Sequence, residues 1–190
     1  MRTFIAIPLT AEIKNSLAKL QDQLKSAGAD VKWVGPENIH LTLKFLGERD
    51  DKKIKQIIDA VEETAKNKKQ FRMRLLELGA FPSINSARVI WAGIGQGDKE
   101  TKLIARELEE KIAKIDIPKE TRPFSSHITI GRTRSAQGLQ DLAKELFNLK
   151  DKLAGENLEF TVTRITLYKS TLTPQGPIYE ALKEASLAVT

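Results

Sequence analysis

The chain has 190 residues, of which 41% are hydrophobic and 29% are charged, a balance typical of a folded globular protein and not of a disordered segment. It contains no cysteine, which excludes disulfides, thiolate catalysis and cysteine-based zinc sites and suits a reducing cytoplasm. The formal net charge of +6 favours a phosphate-bearing partner, and no apolar run approaches the roughly 20 residues that cross a bilayer. We therefore expect a cytoplasmic protein that has no membrane span.

Alternating apolar and polar residues predict strands, and apolar residues spaced by three and four positions predict amphipathic helices. In chain order the patterns indicate a strand at 2–8, a helix from 13 to 24, strands at 30–34 and 39–46, a helix from 54 to 65, strands at 70–79 and 87–94, a helix from 103 to 112, a strand at 126–132, a helix from 139 to 146, and strands at 157–169 and 177–182. This mixture predicts an α+β fold.

The two halves of this series resemble each other. Phe4-Ile5-Ala6-Ile7 and Val89-Ile90-Trp91-Ala92 lie about 85 residues apart, and each begins the order strand, helix, strand, helix. Such a repeat predicts two related lobes that face one another. Because no low-complexity linker separates the lobes, we expect one bilobal domain over residues 1–190.

The chain has two histidines, and both lie in the same pattern, His40-Leu41-Thr42-Leu43 and His127-Ile128-Thr129-Ile130. With 14 threonines in 190 residues, a threonine two positions after both histidines arises by chance in roughly 1 of 200 such sequences. Strand side chains alternate between faces, so each pattern places imidazole and hydroxyl on one face and two apolar residues on the other. Strand propensity alone would explain one copy, whereas two copies indicate a shared functional role.

Two side chains that titrate near neutrality suit in-line displacement at phosphorus, in which one imidazole deprotonates the attacking oxygen and the other protonates the departing oxygen. The hydroxyls of Thr42 and Thr129 can donate to the non-bridging oxygens, where negative charge builds up. A two-histidine metal site lacks further ligands in register, so we expect no metal. A nucleophile at Ser125 or Ser126 lacks the strand-turn-helix elbow and would leave His40 without a role.

The paired motifs resemble those of the two-histidine (2H) phosphoesterase superfamily and, more narrowly, the chain is similar to its RNA 2′,3′-cyclic phosphodiesterase group, long called 2′-5′ RNA ligases. The similarity is carried by residues 38–47 and 123–132 around the histidines, by residues 2–7, and by residues 167–179. It implies a bilobal, pseudo-twofold α+β fold of duplicated antiparallel sheets flanked by helices, with the histidines facing each other across a central cleft.

The resemblance further implies an enzyme that hydrolyses the terminal 2′,3′-cyclic phosphate of RNA to a 2′-phosphomonoester and that can join RNA ends through a 2′-5′ bond. It assigns His40 as the proton donor and His127 as the proton acceptor, and it makes Thr42 and Thr129 the other members of the catalytic set. It implies no cofactor. The expected partners are RNA ends that bear a 2′,3′-cyclic phosphate, tRNA fragments among them, and the expected state is a monomer.

Two cations and three aromatic residues are further candidates for substrate contacts. Lys44 shares its strand parity with the histidine and threonine of the first motif, so we expect its ammonium on the face of the site against phosphate; a surface lysine at a strand end is the alternative. Arg132 ends the second motif, where it could clamp a phosphate in bidentate fashion or form a structural ion pair. Phe45, Phe81 and Phe124 could each stack on a base or pack in the core.

Two other functions fit the same residues. One is a two-histidine phosphoesterase that acts on a small cyclic nucleotide or on an ADP-ribose-type cyclic phosphate. The other is a module that binds RNA ends without turnover, which would keep a basic cleft but would not need both histidines. Two intact motifs favour the enzyme.

Overall fold

Nine strands and five helices follow one another along residues 1–189, the part of the chain that this computed structural model describes. The strands are β1 (Arg2–Pro8), β2 (Val31–Trp33), β3 (His40–Glu48), β4 (Phe71–Phe81), β5 (Val89–Ile94), β6 (His127–Thr133), β7 (Glu159–Val162), β8 (Arg164–Thr173) and β9 (Gly176–Ser186). The helices are α1 (Ala11–Lys25), α2 (Asp51–Lys66), α3 (Asp98–Ala113), α4 (Leu139–Leu149) and α5 (Lys152–Glu156). Within residues 1–189, none of these helices has the length and apolar character needed to cross a membrane.

The strands form two antiparallel sheets, one in the order β3-β1-β8-β9 and the other in the order β2-β6-β5-β4-β7. The series β3-β1-β8 of the first sheet corresponds to β6-β5-β4 of the second, because β1 and β5 begin the two sequence repeats. The predicted α+β fold of duplicated antiparallel sheets with helices is confirmed. Each sheet also takes strands from both halves of the chain, since β8 and β9 complete the first sheet and β2 pairs with β6 in the second.

The helices begin where the sequence supplies caps. The hydroxyl of Thr10 accepts a hydrogen bond from the Ile13 amide at the start of α1, and the Asp50 carboxylate accepts one from the Lys53 amide at the start of α2. The apolar stripe predicted for the first helix is fully buried in α1: Ile13, Leu17, Leu20 and Leu24. One hydrophobic core contains buried residues of both sheets and of the helices.

One predicted strand is wrong: the run at 157–169 is two strands in different sheets. Strand β7 pairs with β4, whereas strand β8 pairs with β1 and β9. Thr163 separates β7 from β8 in the chain. The buried positions change parity at this point, from Phe160 and Val162 to Ile165 and Leu167. This change of phase is the sequence signal for the break. The short helix α5 has no counterpart among the predicted helices.

A β-bulge lies at the same place in both histidine strands. Leu43 has no partner in the pairing of β3 with β1, and Ile130 has none in the pairing of β6 with β5. Each extra residue reverses the alternation of faces beyond it. Lys44 therefore turns toward the interior, while the fifth residue after each histidine, Phe45 or Arg132, comes to lie on the histidine's face of the sheet.

Candidate active site

The two imidazoles are held in the same way. Nδ1 of His40 lies 2.6 Å from the carbonyl oxygen of Asn38, and Nδ1 of His127 lies 2.8 Å from that of Ser125. A carbonyl oxygen can only accept, so each Nδ1 carries the proton and donates it to the residue two positions upstream. In the neutral imidazole the other ring nitrogen, Nε2, is then the acceptor. Both histidines thus present the same nitrogen for chemistry.

The threonines lie on the same strand face as the histidines but make different contacts. The Oγ1 of Thr42 is 2.8 Å from Nε2 of His40, to which its hydroxyl donates a hydrogen bond. Thr129 is half-buried and is paired across the sheet with Trp91. Among residues 1–189, Nε2 of His127 has no protein hydrogen-bond partner. The second imidazole is therefore ready to accept a proton from a substrate or water.

The pKa values of both histidines are lowered. Burial is the largest cause in each case, and the hydrogen bond to the upstream carbonyl acts in the opposite direction. The charge of Lys14 lowers the pKa of His40 further, and the charge of Arg132 does so for His127. Neutral imidazoles are therefore favoured at neutral pH.

Aromatic rings surround each histidine. The ring of His40 lies 4.8 Å from Phe4 and 5.4 Å from Tyr179, measured between centroids. The ring of His127 lies 5.1 Å from Phe81, which in turn lies 5.2 Å from Trp91. Of the two positions that the sequence left open for Phe81, the structure shows the one beside the site, and each imidazole contacts at least one aromatic ring.

The strand pairing of the first sheet explains how Tyr179 reaches the site. Residue 179 lies on β9, which pairs with β8, and β8 pairs with β1, where Phe4 lies against His40. Tyr168 and Tyr179 belong to the similar segment 167–179, but neither was predicted to lie in the site. Their only signal was membership of that segment, because no local spacing links residue 179 to residue 40.

In the second lobe, Gly79 makes room for the indole of Trp91. A Cβ at Gly79 would lie 2.3 Å from that ring, so the ring lies flat against the neighbouring strand β4. Only a glycine allows this close approach.

A cavity of about 350 Å³ opens beside His40. Its walls include the side chains of Tyr168 and Tyr179 and, from α1 and the turn before β3, those of Lys14 and Asn38. Cavities of this size and mixed lining accommodate small organic ligands. The first histidine therefore faces a space with an aromatic wall and a cation.

Arg132 lies on the site face, as a phosphate contact requires. Its side chain is exposed and forms no ion pair within residues 1–189. Its charge lowers the pKa of His127. At Tyr179 burial raises the pKa of the hydroxyl, and the charge of Arg132 acts in the opposite direction. Because Tyr179 packs on His40, the charge of Arg132 acts on one residue of each histidine cluster. Lys32 pairs with Arg132 across strands β2 and β6 and adds a second exposed cation. It was not among the site residues predicted from the sequence.

Lys44 is not part of the site, and its predicted position was wrong. The bulge at Leu43 reverses the strand's alternation, so that the side chain of Lys44 is 1% exposed and forms an ion pair with Glu109 at 2.6 Å. Of the other aromatic candidates, Phe45 is 59% exposed on the site face, whereas Phe124 packs against the hydrophobic core. Simple alternation could not reveal the bulge.

The histidine strands β3 and β6 contact each other where the two sheets pack together. Each imidazole has a fixed Nδ1–H and an Nε2 that can exchange a proton, and the charge of Arg132, which forms no ion pair within residues 1–189, lowers the pKa of His127. Such a set can move one proton onto and another off an anionic substrate. Within residues 1–189, no group of three or more His, Asp or Glu side chains is arranged to hold a metal ion.

Comparison with known families gives one match that covers most of the chain. The model of the family described as LigT like Phosphoesterase matches residues 7–91 and 94–179. Each of these two ranges contains one histidine motif, in agreement with the internal repeat.

Named relatives and a solved structure agree with the family match. The chain is 40% identical over 184 residues to an RNA 2′,3′-cyclic phosphodiesterase of Methanocaldococcus jannaschii, which covers 97% of this chain and 99% of that protein. It is 35% identical over 184 residues to the protein of the same name from Thermotoga maritima, with 97% and 94% covered. The crystal structure of E. coli LigT complexed with 3′-AMP is similar with a TM-score of 0.79 and 27% identity, over 98% of this chain and 97% of that one.

Proposed function

This chain belongs to the LigT-like phosphoesterase family, and on that premise we propose that it is an RNA 2′,3′-cyclic phosphodiesterase with His40 and His127 as its acid and base. The observation that carries this proposal is the pair of imidazoles, each with Nδ1–H bonded to an upstream carbonyl and Nε2 left for proton transfer. Relatives that carry this name match almost the whole chain, both histidine motifs included.

In the proposed reaction, water attacks the phosphorus in line with O3′ of the terminal ribose. Nε2 of His127 accepts the proton of the water as the new P–O bond forms, and protonated His40 donates its Nε2–H to O3′ as the P–O3′ bond breaks. The products are a 2′-phosphomonoester and a free 3′-hydroxyl. A 5′-hydroxyl in place of water would give a 2′-5′ phosphodiester by the same proton transfers.

The surrounding groups stabilise the charge that develops on phosphorus. Once His40 is protonated, its Nε2 no longer accepts from Thr42, and that hydroxyl is free to donate to a non-bridging oxygen. Thr129 can do the same from the second strand, and Arg132 can pair with the phosphate through two N–H groups. These three donors supply electrostatic stabilisation without a metal.

The cavity beside His40 suits the terminal nucleoside. In the proposed reaction the donor protonates O3′, which belongs to the terminal ribose, so this nucleoside has to lie on the His40 side of the phosphate. The cavity of about 350 Å³ has room for it and offers the rings of Tyr168 and Tyr179 for stacking.

The proposal is tested by incubating the protein with an RNA oligonucleotide that ends in a 2′,3′-cyclic phosphate and, in parallel, with 2′,3′-cyclic AMP. The product is identified by ³¹P NMR and mass spectrometry against 2′- and 3′-phosphate standards. We expect the wild-type protein to form the 2′-phosphate from RNA, and we expect no 2′-phosphate from the His40→Ala and His127→Ala variants.

A 3′-phosphate would contradict the choice of leaving oxygen. Binding without turnover would favour the RNA-end binding module, and equal turnover of cyclic AMP would favour the small-nucleotide enzyme.

We further propose that residues 1–190 act as a single bilobal domain, as a monomer in the cytoplasm, on RNA ends that include tRNA fragments. The continuous hydrophobic core across both sheets supports a single cooperative unit, and the positive charge supports an RNA partner. One unfolding transition in calorimetry, a monomeric mass in sedimentation equilibrium, and sequencing of cyclic-phosphate RNA ends with and without the protein test these statements.

A further inference from the structure

We infer that the ion pair between Lys44 and Glu109 is a positioning device that fixes the segment before His127 relative to the strand of His40. This inference rests on the proposed acid–base roles of the two histidines. Neither Lys44 nor Glu109 touches the substrate in the proposed reaction. Their role follows from what they connect.

Lys44 is a buried cation behind the first histidine strand. It lies two residues after Thr42 on β3, but the bulge turns its side chain to the face opposite His40, where only 1% of it is exposed. A charge in such a place has to be paired and hydrogen-bonded. Nζ of Lys44 meets this requirement with Oε1 of Glu109 at 2.6 Å and the carbonyl oxygen of Pro118 at 3.4 Å.

Glu109 extends the connection from helix α3 to the following segment. Its Oε1 binds Lys44, and its Oε2 accepts a hydrogen bond of 3.1 Å from the backbone amide of Glu120. The ion pair thus holds the backbone at two points, the carbonyl of Pro118 and the amide of Glu120. Both points lie in residues 114–126, which connect α3 to β6 without a helix or strand.

This segment ends at the group that orients the second histidine. The carbonyl of Ser125 accepts the Nδ1–H of His127 and so sets its tautomer and ring direction. Between Glu120 and Ser125, within the described residues, no hydrogen bond anchors the chain. The contacts of Lys44 and Glu109 are therefore the last polar anchors before the carbonyl that holds His127.

The same pair reaches the first histidine through the strand itself. Lys44 and His40 share β3, whose pairing with β1 fixes them relative to each other. The ion pair consequently joins the strand of one imidazole to the support of the other. Because an error of about 1 Å in such geometry can lower turnover by about 100-fold, small shifts of this segment matter for catalysis.

Buried ion pairs contribute little net stability compared with apolar side chains of similar volume. The two roles, stability and positioning, can therefore be separated by experiment. An apolar double variant, Lys44→Met with Glu109→Leu, fills the space but releases Pro118 and Glu120. We expect it to fold and to melt close to the wild-type temperature.

The test measures steady-state kcat and KM, and it follows the titration of His127 by ¹H NMR. The NMR spectrum is simple to assign because the chain has two histidines. For the double variant we expect kcat to fall by at least about 10-fold with KM nearly unchanged, since alignment and not binding is lost. The hydrogen bond to Ser125 raises the pKa of His127, so its weakening should move the His127 titration to lower pH. A purely structural role would not move that titration.

The control is the more exposed ion pair of Lys111 on α3 with Glu63 on α2, at 2.5 Å. Neither side chain forms a hydrogen bond or ion pair with residues 114–126. Lys111→Met with Glu63→Leu should leave kcat and the His127 titration unchanged. Lys44→Gln with Glu109→Gln removes both charges, so it leaves no unpaired buried cation, and it serves if the apolar variant does not fold. It should change kcat and the titration in the same directions, by smaller amounts, because the amides retain part of the hydrogen bonding.

Wild-type kcat and an unmoved His127 titration in both double variants, Lys44→Met with Glu109→Leu and Lys44→Gln with Glu109→Gln, would overturn the positioning role. Equal losses in the Lys111 control would do so as well, because the effect would then reflect general loosening. The NMR titration needs no turnover. It therefore separates failure of this inference from failure of the proposed phosphodiesterase activity.

Discussion

Each imidazole donates its Nδ1–H to a carbonyl oxygen two residues upstream, and this contact fixes the ring without using the nitrogen that reacts. The arrangement is local, since it needs only the chain just before each histidine strand. Both rings are half-buried and contact aromatic side chains, His40 those of Phe4 and Tyr179 and His127 that of Phe81.

Removal of either imidazole should therefore affect chemistry more than folding. We expect His40→Ala and His127→Ala each to lower kcat by at least about 10²-fold, because each loses a general acid or base, while circular dichroism and the melting curve stay close to wild type. Near wild-type turnover in a correctly folded variant would rule out the acid–base pair.

The threonines should matter less than the histidines. Thr42→Val and Thr129→Val keep the side-chain shape but remove one donor to the phosphoryl oxygens, at a cost of about 2–4 kcal/mol in transition-state stabilisation at most. The measurement is kcat/KM for the cyclic-phosphate RNA. A loss equal to or greater than that of the histidine variants would make a threonine the candidate nucleophile.

The lowered pKa values of the histidines predict an acid-shifted pH profile. Catalysis needs neutral His127 and protonated His40, so kcat/KM falls at low pH as His127 is protonated and at high pH as His40 loses its proton. Burial lowers the pKa of both, so both limbs should lie at lower pH than ordinary imidazoles with a pKa near 6.5 would give.

The Lys14 charge offers a direct check of that assignment. Lys14→Met removes a charge that lowers the pKa of His40, so the alkaline limb should move to higher pH, whereas Lys19→Met on the same helix should leave it in place. Movement of the acid limb instead would exchange the roles of donor and acceptor.

At the scale of the strand, period-two alternation predicted the faces correctly through Leu43 and Ile130 and failed at the next residue in each strand. The extra residues Leu43 and Ile130 are ordinary apolar strand residues, so nothing in their identity marks a bulge. What the sequence does contain is a lysine that would lie on the face of buried Leu41 once the bulge is counted, with Glu109 far along the chain as its partner. Only tertiary pairing resolves that choice.

The bulges turn Lys44 away from the site and Arg132 toward it, so of these two cations only Arg132 is expected to contact phosphate. Arg132→Ala should lower kcat/KM by about 10- to 100-fold and weaken its dependence on salt, because a charge on the site face is lost. Arg106→Ala, which removes an exposed charge on α3, is the control and should change neither. An Arg132 variant with wild-type kinetics would remove this residue from the site.

For the whole molecule, the repeat of about 85 residues was sufficient to predict two related lobes, but not which strands complete them. Strands β8 and β9 come from the end of the chain and lie in the sheet of its beginning, and they bring Tyr168 and Tyr179 to the first histidine. Strands that pair across so many intervening residues leave no periodic pattern in the sequence. The position of Tyr168 and Tyr179 beside the first histidine could therefore not be predicted.

The donor set of the whole molecule predicts hydrolysis without a divalent ion. Two isolated histidines and scattered carboxylates form no group of three or more potential ligands within residues 1–189. Turnover of the cyclic-phosphate RNA should persist in excess EDTA. Loss of activity on chelation, with recovery on addition of a divalent ion, would refute the mechanism proposed above.

The net charge of +6 predicts salt-dependent recognition of RNA. Several phosphates along an RNA strand release counterions on binding, so kcat/KM for RNA should fall as salt rises, whereas a cyclic mononucleotide, with one phosphate, should respond far less. Titration of both substrates with KCl is the measurement. Identical responses would indicate that the protein contacts only the terminal nucleotide.

The matched bulges also give the cleft a polarity. Two identical lobes would accept an RNA end in either of two opposed orientations with equal free energy. At equivalent positions, however, the bulges present a phenyl ring, Phe45, beside one histidine and a guanidinium, Arg132, beside the other. Only one orientation sets a phosphate against the guanidinium, so this difference favours that orientation. In the proposed mechanism, each imidazole would then meet the same oxygen in every substrate molecule.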